Sequence, residues 1–211
     1  QYNHANNGDL LLKRSDGGQL HLNDTNLLGE GSFTRAYDIP GTANPKTGYR
    51  GQAAKLTGPG DSAVDAIGRG AVESIGKPGV IKTPKVHAQY RVGDSPLVPH
   101  SRTPHDLDKA KDFRGGTVTV VDKTPPVFNS KEALGTIRAA DGKMTPGQAI
   151  AFNRGMKELN NNGFAWLDNK GDNFTFERRP DLGPDEWTLV VVDPGGIVPV
   201  KPGKGKSAAQ N

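Results

Sequence analysis

Glycine and proline divide this sequence into short segments. The chain has 211 residues, of which 28 are glycine and 16 are proline, and both are spread along its length. Glycine weakens the interior of helices and strands and proline interrupts them, so short elements joined by many loops are expected. Apolar runs remain between the breaks, which is typical of a folded chain rather than of a low-complexity segment.

Between these breaks, local patterns predict an α+β chain. Residues 117–122 (TVTVVD) are rich in β-branched side chains, which favours a buried strand. Within 145–163, Thr145 can cap a helix, Pro146 suits its first position, and Gln148 stands three residues after the cap. The other predicted elements are a helix at 61–76, a hairpin at 174–193, and strands within 19–28, 29–39, 52–56 and 79–92.

Apolar residues at helical spacing give each predicted helix a candidate buried face. Gly68 and Gly70 interrupt the first helix, and each weakens it by about 1 kcal/mol relative to alanine. The apolar positions are Val64, Ile67, Ala71, Val72 and Ile75 in the first helix, and Ile150, Met156 and Leu159, with Phe152 near them, in the second.

The order of the elements predicts two lobes. Residues 19–122 form the β-rich lobe, and residues 123–198 form a smaller lobe with the long helix. Residues 1–18 are expected to be a flexible lead-in or a short edge strand, and their polar character suggests a domain cut from a longer protein. The basic segment 199–211 is expected to be a flexible tail, whereas 93–116 is expected to be a loop with one helical turn.

Charge and composition exclude several classes of protein. The formal net charge of +4 suits an anionic ligand such as a nucleotide, but it does not indicate a nucleic-acid binder. The absence of cysteine excludes disulfides and thiolate metal sites. No apolar run approaches the roughly 18 residues that a membrane span requires.

The segment LGEGSFTRAY (28–37) has glycines where a phosphate could approach the backbone. Gly29 and Gly31 allow close approach, so that N–H groups near Ser32 can face phosphate oxygens, and Phe33 at the turn can exclude water. An ordinary hairpin has the same glycines, and this alternative stays open.

Lys55 lies within the predicted strand QAAKL, where its ammonium can face bound phosphates. A carboxylate on the following helix is its expected partner: Glu73 is the first candidate, and Asp65 is the second. A lysine and a glutamate that both face solvent are the alternative.

The segment WLDNKGDNFTF (166–176) has polar groups suited to metal and phosphate chemistry. Asp168 can accept a proton from an attacking hydroxyl, Lys170 can neutralise a transferred phosphate, and Asn173 can offer an oxygen to Mg²⁺. Asp193 ends the apolar run LVVVD and is a second candidate metal ligand. Turns are rich in the same residue types, so each segment alone is also explained by an ordinary turn.

Taken in order, these segments resemble the protein-kinase signature set: glycine-rich turn, strand lysine, helical carboxylate, D-x-K-x-x-N and D-x-G. The resemblance runs from about residue 27 to 197. It implies that Asp168 is the catalytic aspartate and that Asn173 and Asp193 hold Mg²⁺ beside bound ATP. It further implies a hinge that contacts adenine through its backbone and is formed by the VVD segment (Val120, Val121 and Asp122) with Lys123 and Thr124.

The sequence departs from the family pattern at several positions. Trp166 and Leu167 replace the His-Arg pair, Pro194 replaces the phenylalanine of D-F-G, and Thr34 replaces the third glycine. The chain after Asp193 is too short for an activation segment. A minimal two-lobed kinase fold with a truncated helical C-lobe is therefore expected, without control by activation-loop phosphorylation.

This truncated pattern resembles the OspG-type and HopBF-type effector kinases of bacteria. The resemblance implies a secreted effector or toxin domain, a Ser/Thr protein kinase that acts as a monomer in the cytoplasm of a target cell. Its expected substrate is a protein of that cell, such as a chaperone or a signalling protein. The alternatives are a small-molecule kinase, a pseudokinase or nucleotide-binding module, and a protein adenylyltransferase on a kinase-like fold.

Overall fold

A computed structural model describes residues 2–4, 10–13, 19–22, 24–30, 34–91, 115–128 and 144–200. These residues form the α+β structure that the sequence predicts, in which strands dominate and two helices are present. The glycine-rich tip at 31–33, most of the loop predicted at 93–116, and the tail beyond 200 lie outside the described residues.

The described elements follow the predicted order, with several additional strands. The strands are β1 (Tyr2–His4), β2 (Leu10–Lys13), β3 (Gln19–Leu22), β4 (Leu27–Glu30), β5 (Thr34–Ile39), β6 (Gln52–Thr57), β7 (Ile81–Lys82), β8 (Val86–Arg91), β9 (Thr117–Asp122), β10 (Phe164–Trp166), β11 (Phe174–Arg178), β12 (Trp187–Val191) and β13 (Ile197–Pro199). The helices are α1 (Pro59–Ser74) and α2 (Pro146–Asn161).

The chain divides into two compact units. The first comprises residues 1–63 and 84–123, and the second comprises residues 64–83 and 124–211. The sequence-based division assigned 64–83 to the first lobe, whereas here most of α1 and all of β7 are counted with the second unit.

The first unit is built on an antiparallel sheet of five strands in the order β4-β5-β6-β9-β8. The β-branched strand β9 lies inside this sheet, as expected for a buried strand. Within the predicted lead-in, β1 pairs with β2, and β2 pairs with β3, to form a separate antiparallel sheet of three strands. The buried core of this unit contains Leu20, Leu22, Tyr37, Ala54, Leu56, Val118 and Val120.

The second unit packs α2 against small sheets. Thr145 caps α2 and forms the predicted capping box with Gln148, so this local prediction is confirmed. The predicted hairpin is formed by β11 and β12, and β7 adds to β12 as a parallel strand. Strands β10 and β13 form a separate antiparallel pair.

The predicted strand 79–92 is instead two strands, β7 and β8, which enter different sheets. The three residues 83–85 that separate them are not in a strand. Ile81 of β7 pairs with Leu189 of β12 in the second unit. The sequence pattern of two short strands with a short break between them does not differ from that of one continuous strand, so local periodicity could not show the break.

The buried faces of both helices match the predicted ones in part. The positions buried as predicted are Ala71, Val72, Ile75 and Leu159, and Phe152 and Met156 are partly buried against the same core. In α1, Val64 and Ile67 are exposed, whereas the small residue Gly68 is buried. In α2, Ile150 is exposed and Gly155 is buried. Because a glycine lets a helix backbone approach its neighbour, these faces are selected by close contact rather than by apolar size alone.

Candidate functional site

Asn173 is the centre of a hydrogen-bonded group in the second unit. Its side-chain Nδ2 donates to the main-chain oxygen of Asp168 at 2.8 Å and to the Asp168 Oδ2 at 2.9 Å. Both donors of the amide are therefore used, and the remaining polar atom of the side chain is the oxygen Oδ1. Asn173 is buried, so these bonds hold the loop before β11 in one conformation.

The end of β12 is bound to the same asparagine. The main-chain N–H groups of Val192 and Asp193 donate to the Asn173 carbonyl oxygen at 2.9 and 3.1 Å. The Oδ1 atom of Asp193 accepts a bond from the Gly195 amide at 3.2 Å. Asn173 thus connects the two predicted motif segments, through its side chain to one and through its backbone to the other.

Lys170 lies beside the carboxylate of Asp168. Its Nζ is 3.5 Å from the Asp168 Oδ2, and the side chains are 59% and 53% exposed. An ion pair this exposed contributes little to stability, so both groups remain accessible to a ligand. The Lys170 carbonyl accepts a bond from the Asn173 amide at 2.9 Å, which closes the turn between them.

Gly196 lies directly against Asp168. Its φ is +88°, and a Cβ at this position would come within 3.1 Å of the Asp168 Cβ. The Leu167 amide also donates to the Gly196 carbonyl at 2.9 Å. Any larger residue would strain the backbone and press on the aspartate, so glycine is required here.

Strand pairing brings the two motif segments together. Trp166 pairs with Ile197 across β10 and β13, and Phe174 pairs with Val191 across β11 and β12. The loops that carry Asp168 and Asp193 are therefore flanked on both sides by paired strands. The β10–β13 pair was not predicted, because each of these strands has only three residues.

The two acidic candidates of α1 have different environments. Asp65 is buried and forms an ion pair with Arg69, one turn later in the helix. Glu73, the first candidate partner of Lys55, is exposed near the end of the helix. Asp65 lies on the buried side of α1, three residues before the buried Gly68, whereas Glu73 does not. The spacing of the buried positions along the helix therefore distinguishes the two acids.

The remaining phosphate-binding candidates belong to the first unit. Lys55 is half-buried on β6, where it pairs with Ala36 of β5 and Thr119 of β9. Gly29 is exposed on β4, and a Cβ there would meet nothing within 4 Å. The predicted roles of Gly31, Ser32 and Phe33 lie outside the described residues.

The predicted adenine-contacting strand end is occupied by internal bonds. The Asp122 amide donates to the Lys85 carbonyl at 2.9 Å, and the Lys123 amide donates to the Gly51 carbonyl at 2.8 Å. Val121 lies one residue earlier, within β9. A backbone contact with adenine at Asp122 or Lys123 would therefore have to use carbonyl oxygens, unless these two bonds open.

The carboxylate of Asp122 accepts two further bonds. The Tyr49 hydroxyl donates at 2.8 Å, and His87 Nε2 lies at 2.7 Å from the same oxygen. Burial raises the pKa of the Asp122 carboxyl, but the bonds from His87 and Tyr49 and the charges of His87 and Lys85 outweigh it, so that the pKa lies below its ordinary value. The Asp122 carboxylate therefore joins Tyr49 and His87 within the first unit.

Asn173 and Asp193 offer two side chains with oxygen donors, which is fewer than a site made wholly of protein ligands requires. Among the residues that the structure describes, no group of three or more His, Cys, Asp or Glu side chains is placed to hold a metal ion. Mg²⁺ is commonly held by one or two protein oxygens together with water and phosphate oxygens. The Asn173 Oδ1 and the Asp193 carboxylate are oxygen donors of this kind.

Comparisons with known proteins leave the family undefined. A scan against protein-family models finds no match, and a search of curated proteins finds none either. Over the described residues, no helix is both long enough and apolar enough to cross a membrane.

Proposed function

We propose that this protein is an ATP- and Mg²⁺-dependent phosphotransferase, specifically a Ser/Thr protein kinase with a minimal kinase-like fold. The observation that carries the proposal is the pair of bonds from the Asn173 side chain to Asp168, together with the bond from the Asp193 amide to the Asn173 carbonyl. These are the three residues that the kinase pattern assigns to proton acceptance and metal binding.

Asp168 is suited to accept a proton from a substrate hydroxyl. Its carboxylate is more than half exposed and is oriented by Asn173. Phosphoryl transfer requires mainly positioning and charge neutralisation, because little covalent chemistry falls to the protein. Lys170, 3.5 Å from the Asp168 carboxylate, supplies a positive charge for the transferred phosphate.

The oxygen of Asn173 and the carboxylate of Asp193 would hold the metal. The Asn173 Nδ2 is already used as a donor to Asp168, so its Oδ1 is the end of the amide that remains for a cation. When bound, Mg²⁺ neutralises charge on the phosphates of the nucleotide. The bond from the Gly195 amide to Asp193 Oδ1 orients the carboxylate.

The order of elements along the chain also supports the proposal. Lys55 lies on β6, which is the third strand in chain order of the five-stranded sheet, and α1 follows that strand directly. The kinase pattern has its lysine on the third strand and a helical carboxylate next. Lys55 as the phosphate ligand, and Asp65 or Glu73 as the helical acid, are parts of the proposal.

The cellular role follows from the resemblance alone. We propose a secreted bacterial effector or toxin domain that acts as a monomer on a protein in the cytoplasm of a target cell. A chaperone or a signalling protein fits this proposal as substrate.

Transfer from labelled ATP tests the proposed function. The protein is incubated with Mg²⁺, radiolabelled ATP and a target-cell lysate, and the intact mass of the labelled product is measured. A gain of about 80 Da indicates a phosphate, whereas about 329 Da indicates an adenylate. Label confined to a small molecule would select a small-molecule kinase, and ATP binding without transfer would select a pseudokinase.

Site variants connect the activity to the proposed residues. Asp168→Asn and Asp193→Asn are expected to abolish transfer. Asp172→Asn is the matched control, because Asp172 is an exposed aspartate of the same loop that has no proposed role. Equal labelling by all three variants would reject the assignment.

A further inference from the structure

Gly68 is the point at which α1 touches the turn that follows Asp193. It lies inside the helix and is buried. A Cβ at this position would overlap the carbonyl oxygen of Pro194, and it would lie 2.7 Å from the Pro194 carbonyl carbon and 3.1 Å from the Pro194 Cβ. The carbonyl oxygen is backbone, so the overlap cannot be relieved by a change of side-chain rotamer.

The carbonyl that Gly68 faces also closes the turn. The Ile197 amide donates to the Pro194 oxygen at 3.1 Å. Ile197 begins β13, whose pairing with β10 holds Gly196 against Asp168. A displacement of the Pro194 carbonyl would therefore also move Asp193, which immediately precedes Pro194, and Gly196, which contacts Asp168.

The neighbouring residues make this contact a rigid one. Pro194 is buried, and its ring fixes the φ angle at the start of the turn. Val64, one helical turn before Gly68, has a side-chain carbon 4.0 Å from the position that a Cβ of Gly195 would occupy. The helix thus borders two successive residues of the turn.

We propose that Gly68 is a positioning residue, which sets the place of Asp193 by allowing the backbone of α1 to lie against the Pro194 carbonyl. This inference rests on the proposed function, because it assigns Asp193 to metal binding. A methyl group at residue 68 pushes the turn away, weakens the bond from the Ile197 amide to the Pro194 carbonyl, and displaces Asp193, whose main-chain amide donates to the Asn173 main-chain carbonyl.

Gly70 offers a matched control in the same helix. A Cβ there would meet nothing within 4 Å. Alanine raises helix propensity by the same amount at either position, so any difference between Gly68→Ala and Gly70→Ala reports the contact with Pro194.

The test measures Mn²⁺ affinity by paramagnetic resonance, kcat at several Mg²⁺ concentrations, and the thermal midpoint of each variant. Because a displacement of about 1 Å can cost about 100-fold in rate, Gly68→Ala is expected to lower kcat by about that factor. It is also expected to bind Mn²⁺ about tenfold more weakly, with partial recovery of kcat at high Mg²⁺. Gly70→Ala is expected to match the wild type in all three measurements or to melt slightly higher.

Equal Mn²⁺ affinity in the two variants would overturn the inference, even if Gly68→Ala melts at a lower temperature. If Gly68→Ala does not fold, Pro194→Ala takes its place, since it removes the ring and loosens the turn while keeping Gly68. Pro194→Ala is then expected to weaken Mn²⁺ binding severalfold, and unchanged binding would overturn the inference.

Measurements on the wild type distinguish a failure of this inference from a failure of the proposed function. A wild-type protein that binds neither Mn²⁺ nor ATP rejects the proposed function itself. An active wild type whose Gly68→Ala variant behaves as Gly70→Ala does rejects only the role of Gly68.

Discussion

The side-chain amide of Asn173 donates to both the main-chain carbonyl and the carboxylate of Asp168. One short side chain thereby fixes the loop that carries the proposed proton acceptor. Because its Nδ2 makes both bonds, its Oδ1 is the atom that remains for the proposed metal. The Asn173 main-chain carbonyl accepts a bond from the Asp193 amide, so a single residue links the loop of the proposed proton acceptor to the segment of the proposed metal ligand Asp193.

Replacement of Asn173 by alanine is expected to abolish phosphate transfer and to lower stability. The change removes two hydrogen bonds from a buried residue, one of them to a charged group, at a cost of about 1–3 kcal/mol. Urea denaturation and labelled-ATP transfer measure the two effects. Asn169→Ala is the control, because Asn169 is an exposed asparagine of the same loop, and an equal loss there would remove the special role of Asn173.

Replacement of Lys55 by alanine is expected to lower phosphate transfer strongly while the protein stays folded. The prediction follows from the proposed contact of its ammonium with phosphate and from its half-buried place on β6. Transfer from ATP and the thermal midpoint are measured together, with Lys46→Ala, an exposed lysine in a turn, as the control. A collapse of the thermal midpoint in Lys55→Ala would make this lysine structural instead.

Replacement of Gly155 by alanine is expected to destabilise the second unit. An added Cβ would lie 2.6 Å from a terminal carbon of Leu189 and 3.3 Å from its Cβ, and Leu189 is fully buried in the core. Overpacking of a core costs about 1–3 kcal/mol and opposes a gain of about 1 kcal/mol in helix propensity, so a net loss of up to about 2 kcal/mol is expected.

Chemical denaturation measures this loss. Gly70→Ala gains the same helix propensity in open space and is expected to be at least as stable as the wild type. If both alanine variants are stabilised alike, α2 does not pack on Leu189 in the way described.

Acid is expected to weaken the first unit through Asp122. The folded-state pKa of this carboxyl lies below its ordinary value, so the charged form is favoured by folding. That contribution is fully present above the unfolded-state pKa, which is about 4, and is lost as the pH falls through the lower folded-state value.

Denaturation curves between about pH 2 and pH 6 measure this loss. Asp122→Asn is expected to be less stable than the wild type at pH 6, and the gap is expected to narrow as the pH falls. Asp61→Asn, which changes an aspartate in the first turn of α1, is the control. A gap that stays constant with pH would show that protonation of Asp122 does not account for the loss.

Some features of this protein can be predicted from short stretches of sequence, because the interactions that create them are local. The capping box at Thr145 and Gln148 bonds residues three apart, and it correctly marks the start of α2. The β-branched run at 117–122 forms β9 as expected. The spacing of Asp168 and Asn173 likewise allows their hydrogen bonds within one turn.

Tertiary structure decided what depends on partners far away in the chain. The burial of Gly68 in α1 follows from its contact with Pro194, and no periodicity of apolar residues reveals a contact made by a glycine. The parallel pairing of β7 with β12 and the pairing of β10 with β13 join very short strands whose partners are selected only in the folded chain. The local sequence therefore determined the segments that bear Asp168 and Asp193 and the bonds between Asp168 and Asn173, whereas long-range pairing brought Asp193 against Asn173.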